Sequence, residues 1–303
     1  MTYYIGVDGG GTKTECILVD QAGEVCARHI AGGSNPSSAG AKAGQILLAA
    51  LYELRRQASV NEVTPAMTLL CMAGSLAYWT EFAAQIVGFG KVVVFDDSLP
   101  VLELATGGQS GMVLHAGTGS FVAAYDRRGI ARYAGGFGWR FGDQGSAYDL
   151  GRRAVTRVLL ERQGWAESTR LGALLTQSVG TTDYAELTRL FYGGSNPTET
   201  VARLAPIVIR AFQEGDAVAT EIALASAFEF LNFGVGIAKR LFGSDAVSSL
   251  QVGVSGRFLN SDSIFGPLAA RAPFRLRAIA DAPAEGVRRM LLRLNPPGSL
   301  RST

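Results

Sequence analysis

Short apolar runs alternate with amphipathic segments in the N-terminal third of the chain. Runs rich in Val, Ile, Leu and Tyr that are bounded by Gly, Asn or Asp are typical of β-strands. They predict strands at residues 3–8, 14–20, 25–30, 68–72 and 91–95. A polar loop at 32–40 and helices at about 41–56 and 99–105 are expected between and after them. Strands that alternate with helices in this way predict an α/β fold.

The pattern becomes largely helical after residue 146. Ser146 is expected to cap a helix over about 147–163. Further helices are predicted at about 171–178, 184–192, 201–214, 217–242 and 284–294, and a strand at 250–255. The most apolar window, 222–238, contains Glu229 and Asn232 and falls short of about 20 clean apolar residues, so it predicts a buried core helix. We therefore expect no membrane association.

An internal repeat divides the chain. Residues 112–136 align with the opening segment at constant spacing, with Val7 on Val113, Gly11 on Gly117 and Asp20 on Asp126. Self-similarity of this kind indicates a duplicated architecture. We expect an N-terminal domain at 1–110 and a C-terminal domain with a helical insertion at 111–303. For the final helix, about 284–294, packing back on the N-terminal domain is an alternative placement.

Composition excludes several classes of protein. The chain has 303 residues, of which 48% are hydrophobic and 18% charged, values that suit a globular protein with a sizeable core. Its net charge of +2 and the lack of a basic stripe argue against nucleic-acid binding. No secretory signal is evident, and the three cysteines show no CxxC spacing, so we expect reduced thiols in a cytoplasmic protein.

Glycine-rich turns are the first candidate chemistry. The glycines and threonine at 9–12 could form only a hairpin turn, or their amides could cradle a phosphate. Recurrence of a Gly-Thr turn at 117–120 favours two phosphate loops facing one interdomain nucleotide cleft, which would suit ATP; no Walker-type motif is present. The candidate nucleotide-binding residues are Gly10, Gly11, Thr12, Lys13, Gly117, Thr118, Gly119 and Ser120. Gly253 and Gly256 either bound an adenine or ribose site or form a plain turn.

Carboxylates at the ends of predicted strands are the second candidate chemistry. Asp8 could hold Mg²⁺ through water, or could bond the turn amides. Asp97 could accept a proton from an attacking hydroxyl, or could cap a helix. Asp96 competes for the role of base, and the two neighbouring side chains should point to opposite faces if the strand continues that far.

Candidate substrate contacts lie in two loops. The segment 135–151 combines aromatic residues, an acid and glycines. There Trp139 or Phe137 could pack on a sugar face while Asp143 bonds hydroxyls, although the loop could simply pack its own aromatic side chains. Asn35 could be a further polar ligand or a turn residue.

Five motifs resemble the N-acetylglucosamine kinase branch of the BadF/BadG/BcrA/BcrD ATPase family, within the sugar kinase, Hsp70 and actin superfamily. They are GVDGGGTKT from Gly6, SNP from Ser34, VFDDS from Val94, HAGTGS from His115 and GWRFGDQGSAYDLG from Gly138. The resemblance covers nearly the whole chain and implies two actin-like (ribonuclease H-like) domains and a homodimer. The C-terminal half resembles the family only weakly, apart from VGVSG.

The resemblance also implies roles for individual residues. Asp8 matches the residue near the metal, the two Gly-Thr turns match the phosphate loops, and Asp97 matches the catalytic aspartate. Positions that match sugar contacts in the family are Asn35, Ala73, Gly74, Gly138 and Asp143. The implied substrates are ATP with Mg²⁺ and a small-molecule sugar.

Two departures from the family pattern matter. Gln144 stands where the family often has Glu, which removes a negative charge that would favour a cationic amino sugar. None of Cys16, Cys26 and Cys71 lies in the C-terminal domain, where the family's iron–sulfur activators carry cysteines. The leading hypothesis is therefore an ATP-dependent hexosamine kinase acting on the 6-hydroxyl of N-acetylglucosamine. Alternatives are a glucosamine kinase, a sugar-independent regulatory ATPase and a non-catalytic sugar sensor.

Overall fold

The structure is a computed structural model, which describes residues 2–58, 64–193 and 197–295. The chain divides into two compact units. Unit 1 comprises Met1–Gly108 and Asp281–Thr303, and unit 2 comprises Gln109–Ala280. Residues 296–303 of the expected C-terminal domain lie outside the described residues.

A five-stranded mixed sheet forms the centre of unit 1. Its strands are β1 (Tyr3–Gly9), β2 (Lys13–Asp20), β3 (Val25–Gly32), β4 (Met67–Met72) and β5 (Lys91–Asp96). The order is β3-β2-β1-β4-β5, with antiparallel hairpins joining β1, β2 and β3 and parallel pairing of β1 with β4 and β4 with β5. The carboxyl ends of β1, β4 and β5 therefore lie side by side at one edge of the sheet.

Helices cover both faces of this sheet, because its central strands are apolar on both sides. The helices of unit 1 are α1 (Pro36–Ala39), α2 (Ala43–Gln57), α3 (Leu76–Ala83), α4 (Ser98–Thr106) and, from the end of the chain, α12 (Pro283–Leu294). Leu51 and Trp79 belong to the core on one face. Val287 and Leu291 pack on the other face, where Gly6 lets α12 approach the sheet: a Cβ on Gly6 would lie 2.7 Å from Val287 Cγ1.

The predicted polar loop at 32–40 is wrong in part. Residues Pro36–Ala39 form α1 and Gly40–Lys42 form a 3₁₀ turn. Asn35 caps α1 because its side-chain oxygen accepts a hydrogen bond from the amide of Ser37, and Pro36 has the φ angle that a first helical residue requires. The strong helix-start signal at Asn35-Pro36 outweighs the polar composition.

Unit 2 repeats the sheet of unit 1. Its strands are β6 (Gly111–Ala116), β7 (Ser120–Tyr125), β8 (Ala131–Gly135), β9 (Gln251–Ser255) and β10 (Arg275–Ile279). The strand order is β8-β7-β6-β9-β10, which corresponds position by position to β3-β2-β1-β4-β5 in unit 1. The antiparallel and parallel pairs also correspond. The predicted α/β fold with internal duplication is confirmed, and each Gly-Thr turn joins the first and second strands of its sheet.

The connection between β8 and β9 carries most of the helices of unit 2. They are α5 (Ala147–Arg162), α6 (Arg170–Val179), α7 (Tyr184–Tyr192), α8 (Pro197–Ala202), α9 (Ala205–Gln213) and α10 (Ala217–Phe242), and α11 (Asp262–Arg271) follows β9. The single helix predicted at 201–214 is two helices. Pro206 lies at the start of α9, where a missing N–H costs nothing, whereas inside a continuous helix its ring would clash with the preceding turn.

Helix α10 combines great length with an apolar composition. Among residues 2–58, 64–193 and 197–295, it is the one helix long and apolar enough to cross a membrane by length and composition. Its side chains at Phe230, Leu231 and Ala238 are buried in the core of unit 2. A Cβ on Gly234 would lie 2.4 Å from Leu114 Cδ2, so the helix packs closely on β6. This packing is that of a core helix.

Candidate active site

The first Gly-Thr turn presents unused backbone donors. The amide of Gly10 donates to the carbonyl of Lys13 over 2.9 Å and so closes the hairpin. The amides of Gly11 and Thr12 donate to no other residue in the described part of the chain, and a Cβ on Gly11 would meet nothing within 4 Å. Two adjacent donors with open space beside them are suited to an anionic oxygen. The turn is a hairpin and has the chemistry of a phosphate cradle.

The loop after β3 supports this turn from one side. The amide of Ser34 donates to the carbonyl of Gly10 over 3.0 Å, and the hydroxyl of Thr14 donates to Ser34 Oγ over 2.7 Å. Gly33 must be glycine, because a Cβ there would lie 2.0 Å from the carbonyl oxygen of Gly11. The Gly-Gly-Ser segment before Asn35 is therefore part of the turn's support, a role that the sequence pattern did not reveal.

Asn35, Ala73 and Gly74 come together beside the same edge. The amide of Ala73 donates to the carbonyl of Gly9 over 2.7 Å, which places the turn after β4 next to the end of β1. Gly74 has φ +96°, and a Cβ on it would lie 2.7 Å from Asn35 Oδ1. Since that oxygen caps α1, the NH₂ group is the candidate substrate contact of the Asn35 side chain.

Three aspartates end the parallel strands at this edge. Asp8 is next to last in β1, Asp96 ends β5 and Asp97 follows it. The strand ends are in register, because Met72 of β4 pairs with Gly9 on one side and with Asp96 on the other. Burial raises the pKa of Asp97 to about 7, and the charges of Asp96 and Asp8 contribute to this rise. Burial likewise raises the pKa of Asp8 to about 6, partly offset by Lys13.

Asp96 and Asp97 have different surroundings. One carboxylate oxygen of Asp96 accepts the amide of Ser98 over 2.9 Å at the start of α4. Asp97 occupies the cap position of α4, with helical backbone angles, and its side chain makes no capping hydrogen bond. The strand ends at Asp96, so the expected alternation of the two side chains along a continuing strand does not apply. Of the two, Asp97 is the carboxylate not used for capping.

Lys13 is held by a carboxylate that the sequence reasoning missed. Its ammonium group lies 2.7 Å from Glu15 Oε2, and Arg28 pairs with the other oxygen of Glu15. Glu15 is buried on β2 directly opposite Asp8 on β1. The one signal in the sequence was an acid inside a largely apolar strand, and its partners follow only from the strand register.

The acidic edge fits a hydrated Mg²⁺. The carboxylate of Asp8 has no hydrogen-bond donor among the described residues, and burial, with a smaller contribution from Glu15, raises its pKa despite the opposing charge of Lys13. A cation would relieve this. No group of three or more His, Cys, Asp or Glu side chains in residues 2–58, 64–193 and 197–295 could hold a metal ion by itself. Mg²⁺ would therefore take most of its ligands from water and phosphate, as it commonly does.

The second Gly-Thr turn, in unit 2, also presents two unused backbone donors. The amide of Gly117 donates to the carbonyl of Gly119 over 2.8 Å, and the amides of Thr118 and Gly119 donate to no residue that the structure describes. Ser120 differs from the expectation that it binds phosphate, because both its donors are engaged. Its amide donates to Asp143 Oδ1 over 3.0 Å and its hydroxyl donates to the carbonyl of Gln144 over 2.7 Å.

Asp143 is built into the support of this turn. It is buried and has φ +71°, an uncommon conformation for a residue with a side chain. A Cβ on Gly119 would lie 2.9 Å from its Oδ1, so the carboxylate lies directly against the turn. Burial raises its pKa. One oxygen therefore supports the second Gly-Thr turn, and the other is the candidate for a sugar hydroxyl.

The remaining loop residues have open surroundings. Gly138 has φ +75° and nothing within 4 Å of the position of a Cβ. Trp139 is 43% exposed, with Arg140 over its ring and the Tyr148 ring centroid 5.8 Å away, so it is available to pack on a sugar. Phe137 is 65% exposed.

The two candidate glycines near β9 have different surroundings. Gly253 lies inside β9, paired with Val113 and Arg277, and does not border a turn. Gly256 does: its φ is +119°, and a Cβ on it would lie 1.8 Å from the carbonyl oxygen of Ala116. The turn after β9 thus touches the strand that leads into the second Gly-Thr turn.

Duplicated five-stranded sheets with a Gly-Thr turn between the first two strands of each define an actin-like α/β protein. The chain belongs to the BadF/BadG/BcrA/BcrD ATPase family, whose model matches residues 5–262, and the resemblance carried by the sequence motifs is thereby confirmed. Membership of this family implies the use of ATP.

Characterised relatives and a solved structure agree with this assignment. The chain is 27% identical over 257 residues to the N-acetyl-D-glucosamine kinase of Dictyostelium discoideum, covering 78% of this chain and 80% of the relative. It is 26% identical over 236 residues to the N-acetylmuramic acid/N-acetylglucosamine kinase of Clostridium acetobutylicum, covering 76% and 77%. A solved structure from Chromobacterium violaceum, for which N-acetylglucosamine kinase is the proposed activity, matches with a TM-score of 0.80 at 28% identity over 96% of this chain and 99% of that one.

Proposed function

We propose that this protein is an ATP-dependent hexosamine kinase that phosphorylates the 6-hydroxyl of N-acetylglucosamine. The observation that carries the proposal is Asp97, a carboxylate with a pKa raised to about 7 that follows the last residue of β5 and is not used for capping. A base of this pKa is suited to accept a proton at neutral pH. The relatives described above act on amino sugars, which supports the choice of substrate.

Asp97 would accept the hydrogen of the sugar hydroxyl as that oxygen attacks the terminal phosphoryl group of ATP. General-base assistance of this kind contributes about 10²–10⁴-fold in rate. Asn35 and Gly74 lie at the same edge of the sheet, where the Asn35 NH₂ group would orient the sugar. These residues would thus hold the sugar so that its hydroxyl is aligned with Asp97.

The phosphates would be held mainly by backbone amides. Gly11 and Thr12 supply two donors in unit 1, and Thr118 and Gly119 offer a second set in unit 2. Asp8 would hold Mg²⁺ through water, and the ion when bound would neutralise phosphate charge. Phosphoryl transfer relies on positioning and charge stabilisation, so preformed donors are the appropriate equipment.

Specificity for a neutral amino sugar is part of the proposal. Trp139 would pack on the sugar ring, and Gly138 and the free oxygen of Asp143 would contact its hydroxyls. Gln144 follows Asp143 and is exposed, so an uncharged amide stands beside this site. A glutamate there would favour the cationic amine of glucosamine, and its absence supports the N-acetylated sugar.

A hexosamine panel tests the function. Purified protein with ATP and MgCl₂ is assayed by coupled ADP release with N-acetylglucosamine, glucosamine, N-acetylmannosamine and glucose, and with 6-deoxy-N-acetylglucosamine as the matched control. We expect stimulation by N-acetylglucosamine and none by the 6-deoxy sugar. A preference for glucosamine would show that glucosamine, and not N-acetylglucosamine, is the acceptor. ADP release that no sugar stimulates would refute the kinase and support a regulatory ATPase, and nucleotide binding without turnover would support a sensor.

We further propose a homodimer located in the cytoplasm, in line with the expectations drawn from the sequence. Sedimentation equilibrium at micromolar concentration tests the assembly. A mass near twice the 31.9 kDa of one chain is expected, and a mass that remains that of one chain would contradict the dimer.

A further inference from the structure

His115 lies in β6 two residues before the second Gly-Thr turn, and the proposed mechanism gives it no role. Its Nδ1 lies 3.2 Å from Ser255 Oγ, and the two residues are register partners in the parallel pair β6–β9. The Phe121 ring stacks on the imidazole with centroids 4.7 Å apart. One nitrogen and one face of the imidazole are thus fixed by their neighbours.

The other nitrogen faces the turn. His115 Nε2 lies 3.3 Å from the position that a Cβ on Gly117 would take. Burial lowers the pKa of His115 to about 4, so the ring is neutral at physiological pH and carries one N–H. When Nδ1 accepts the hydroxyl hydrogen of Ser255, that N–H is on Nε2. A third donor then lies beside Gly117, the residue that precedes the free amides of Thr118 and Gly119.

We propose that His115 is a further ligand of the nucleotide phosphates: Ser255 fixes the tautomer, and Nε2–H donates to the phosphate oxygen that the amides of Thr118 and Gly119 also bind. The inference rests on the proposed function, because it takes the turn to bind ATP. Hydrogen bonds to charged groups are stronger than neutral ones. Loss of this one should weaken nucleotide binding by roughly 10- to 100-fold.

Two amide substitutions separate this role from a structural one. An asparagine amide reaches the position of Nδ1 and falls short of Nε2, whereas a glutamine amide reaches the position of Nε2. We expect His115→Asn to lose about 10- to 100-fold in ADP affinity by titration calorimetry and His115→Gln to stay within a few-fold of the wild type. If the ring only anchors Ser255, the order reverses. His29→Asn, on the edge strand β3, is the control and should change nothing.

Imidazole NMR provides a readout that does not depend on turnover or on the stability of a variant. The sequence contains two histidines, so ¹⁵N-labelled side chains give two sets of ring signals. We expect His115 to be the Nε2–H tautomer, its Nε2 signal to shift on saturation with ADP, and Ser255→Ala to mix the tautomers. An Nδ1–H tautomer, or an Nε2 signal unchanged by bound ADP, would overturn the inference. Wild-type protein that binds no nucleotide would refute the proposed function itself, whereas equal ADP affinity across the variants would refute only the role of His115.

Discussion

Replacing Asp97 with Asn should abolish catalysis and stabilise the fold. Asparagine has almost the same shape but cannot accept the proton of the sugar hydroxyl, so the turnover number should fall by about 10²–10⁴-fold. The same change removes a negative charge from a site where burial, Asp96 and Asp8 all disfavour it. Activity and stability should therefore move in opposite directions.

The size of the stabilisation follows from the pKa of Asp97. Its value is raised from 3.8 to about 7, and a tenfold change in the acid dissociation constant corresponds to about 1.36 kcal/mol. The upper limit is thus about 4 kcal/mol at pH 8, and we expect about 1–3 kcal/mol because water and neighbouring carboxyls relieve part of the repulsion.

The sign and the pH range follow from the same pKa. Because the folded pKa lies above the unfolded one, ionisation of Asp97 destabilises the folded state, and this cost develops as the pH rises from about 4 to about 7. The advantage of Asp97→Asn is therefore greatest at pH 8 and falls to roughly half or less at pH 5.

The assay compares three proteins. Wild type, Asp97→Asn and the surface control Glu81→Gln are unfolded thermally at pH 8 and pH 5, and ADP release is measured in parallel. Each kcal/mol should raise the melting temperature by about 2–4 °C. Glu81 is exposed in unit 1 and should show no pH-dependent difference. Full activity of Asp97→Asn, or a melting temperature at pH 8 equal to or below that of the wild type, would refute the assignment of Asp97 as a buried base.

Three further outcomes are expected. The kcat/KM of the wild type should rise with pH through an apparent pKa of about 7 as Asp97 loses its proton, and a rate profile flat from pH 5.5 to 8 would contradict this. Gly33→Ala should raise the KM for ATP about tenfold and lower the free energy of unfolding by about 1–3 kcal/mol, because its Cβ would lie 2.0 Å from backbone. Gly32→Ala, whose Cβ would meet nothing within 4 Å, should be neutral in both assays. Ser226→Ala should lower the free energy of unfolding in urea by about 1–3 kcal/mol, since it removes a buried hydroxyl with two partners; equal stability to the exposed Ser249→Ala control would show the hydroxyl to be dispensable.

Local patterns in the sequence predicted the architecture well. Short apolar runs bounded by Gly, Asn or Asp located the five strands of the first sheet, and the repeated Gly-Thr turns revealed the duplication that the two sheet orders share. Both signals depend on neighbours in the chain, which is why they can be read without a structure. The cap at Ser146 is likewise local: its hydroxyl accepts the amide of Asp149.

Features that depend on distant residues were not predictable in this way. The hydrogen bond from the amide of Ser120 to Asp143 joins the first residue of β7 to a later loop, and neither segment of the sequence predicts it. The pairing of Glu15 with Lys13 and Arg28 needs the register of two hairpins. The roles assigned to Asp8, Asp97 and the sugar-contacting residues remain predictions that the experiments above address.

The position of α12 has a consequence for biosynthesis. One face of the first sheet, which includes Ile17 and Leu69, is completed by Val287 and Leu291 from the last helix of the chain. A ribosome adds about 5–20 residues per second, so that apolar face is made first and waits for its cover until α12 has been synthesised. All of unit 2, by contrast, has been synthesised before α12 emerges. The sequence of unit 2 is therefore complete before that of unit 1, and nascent unit 1 exposes an apolar surface that chaperones would be expected to protect.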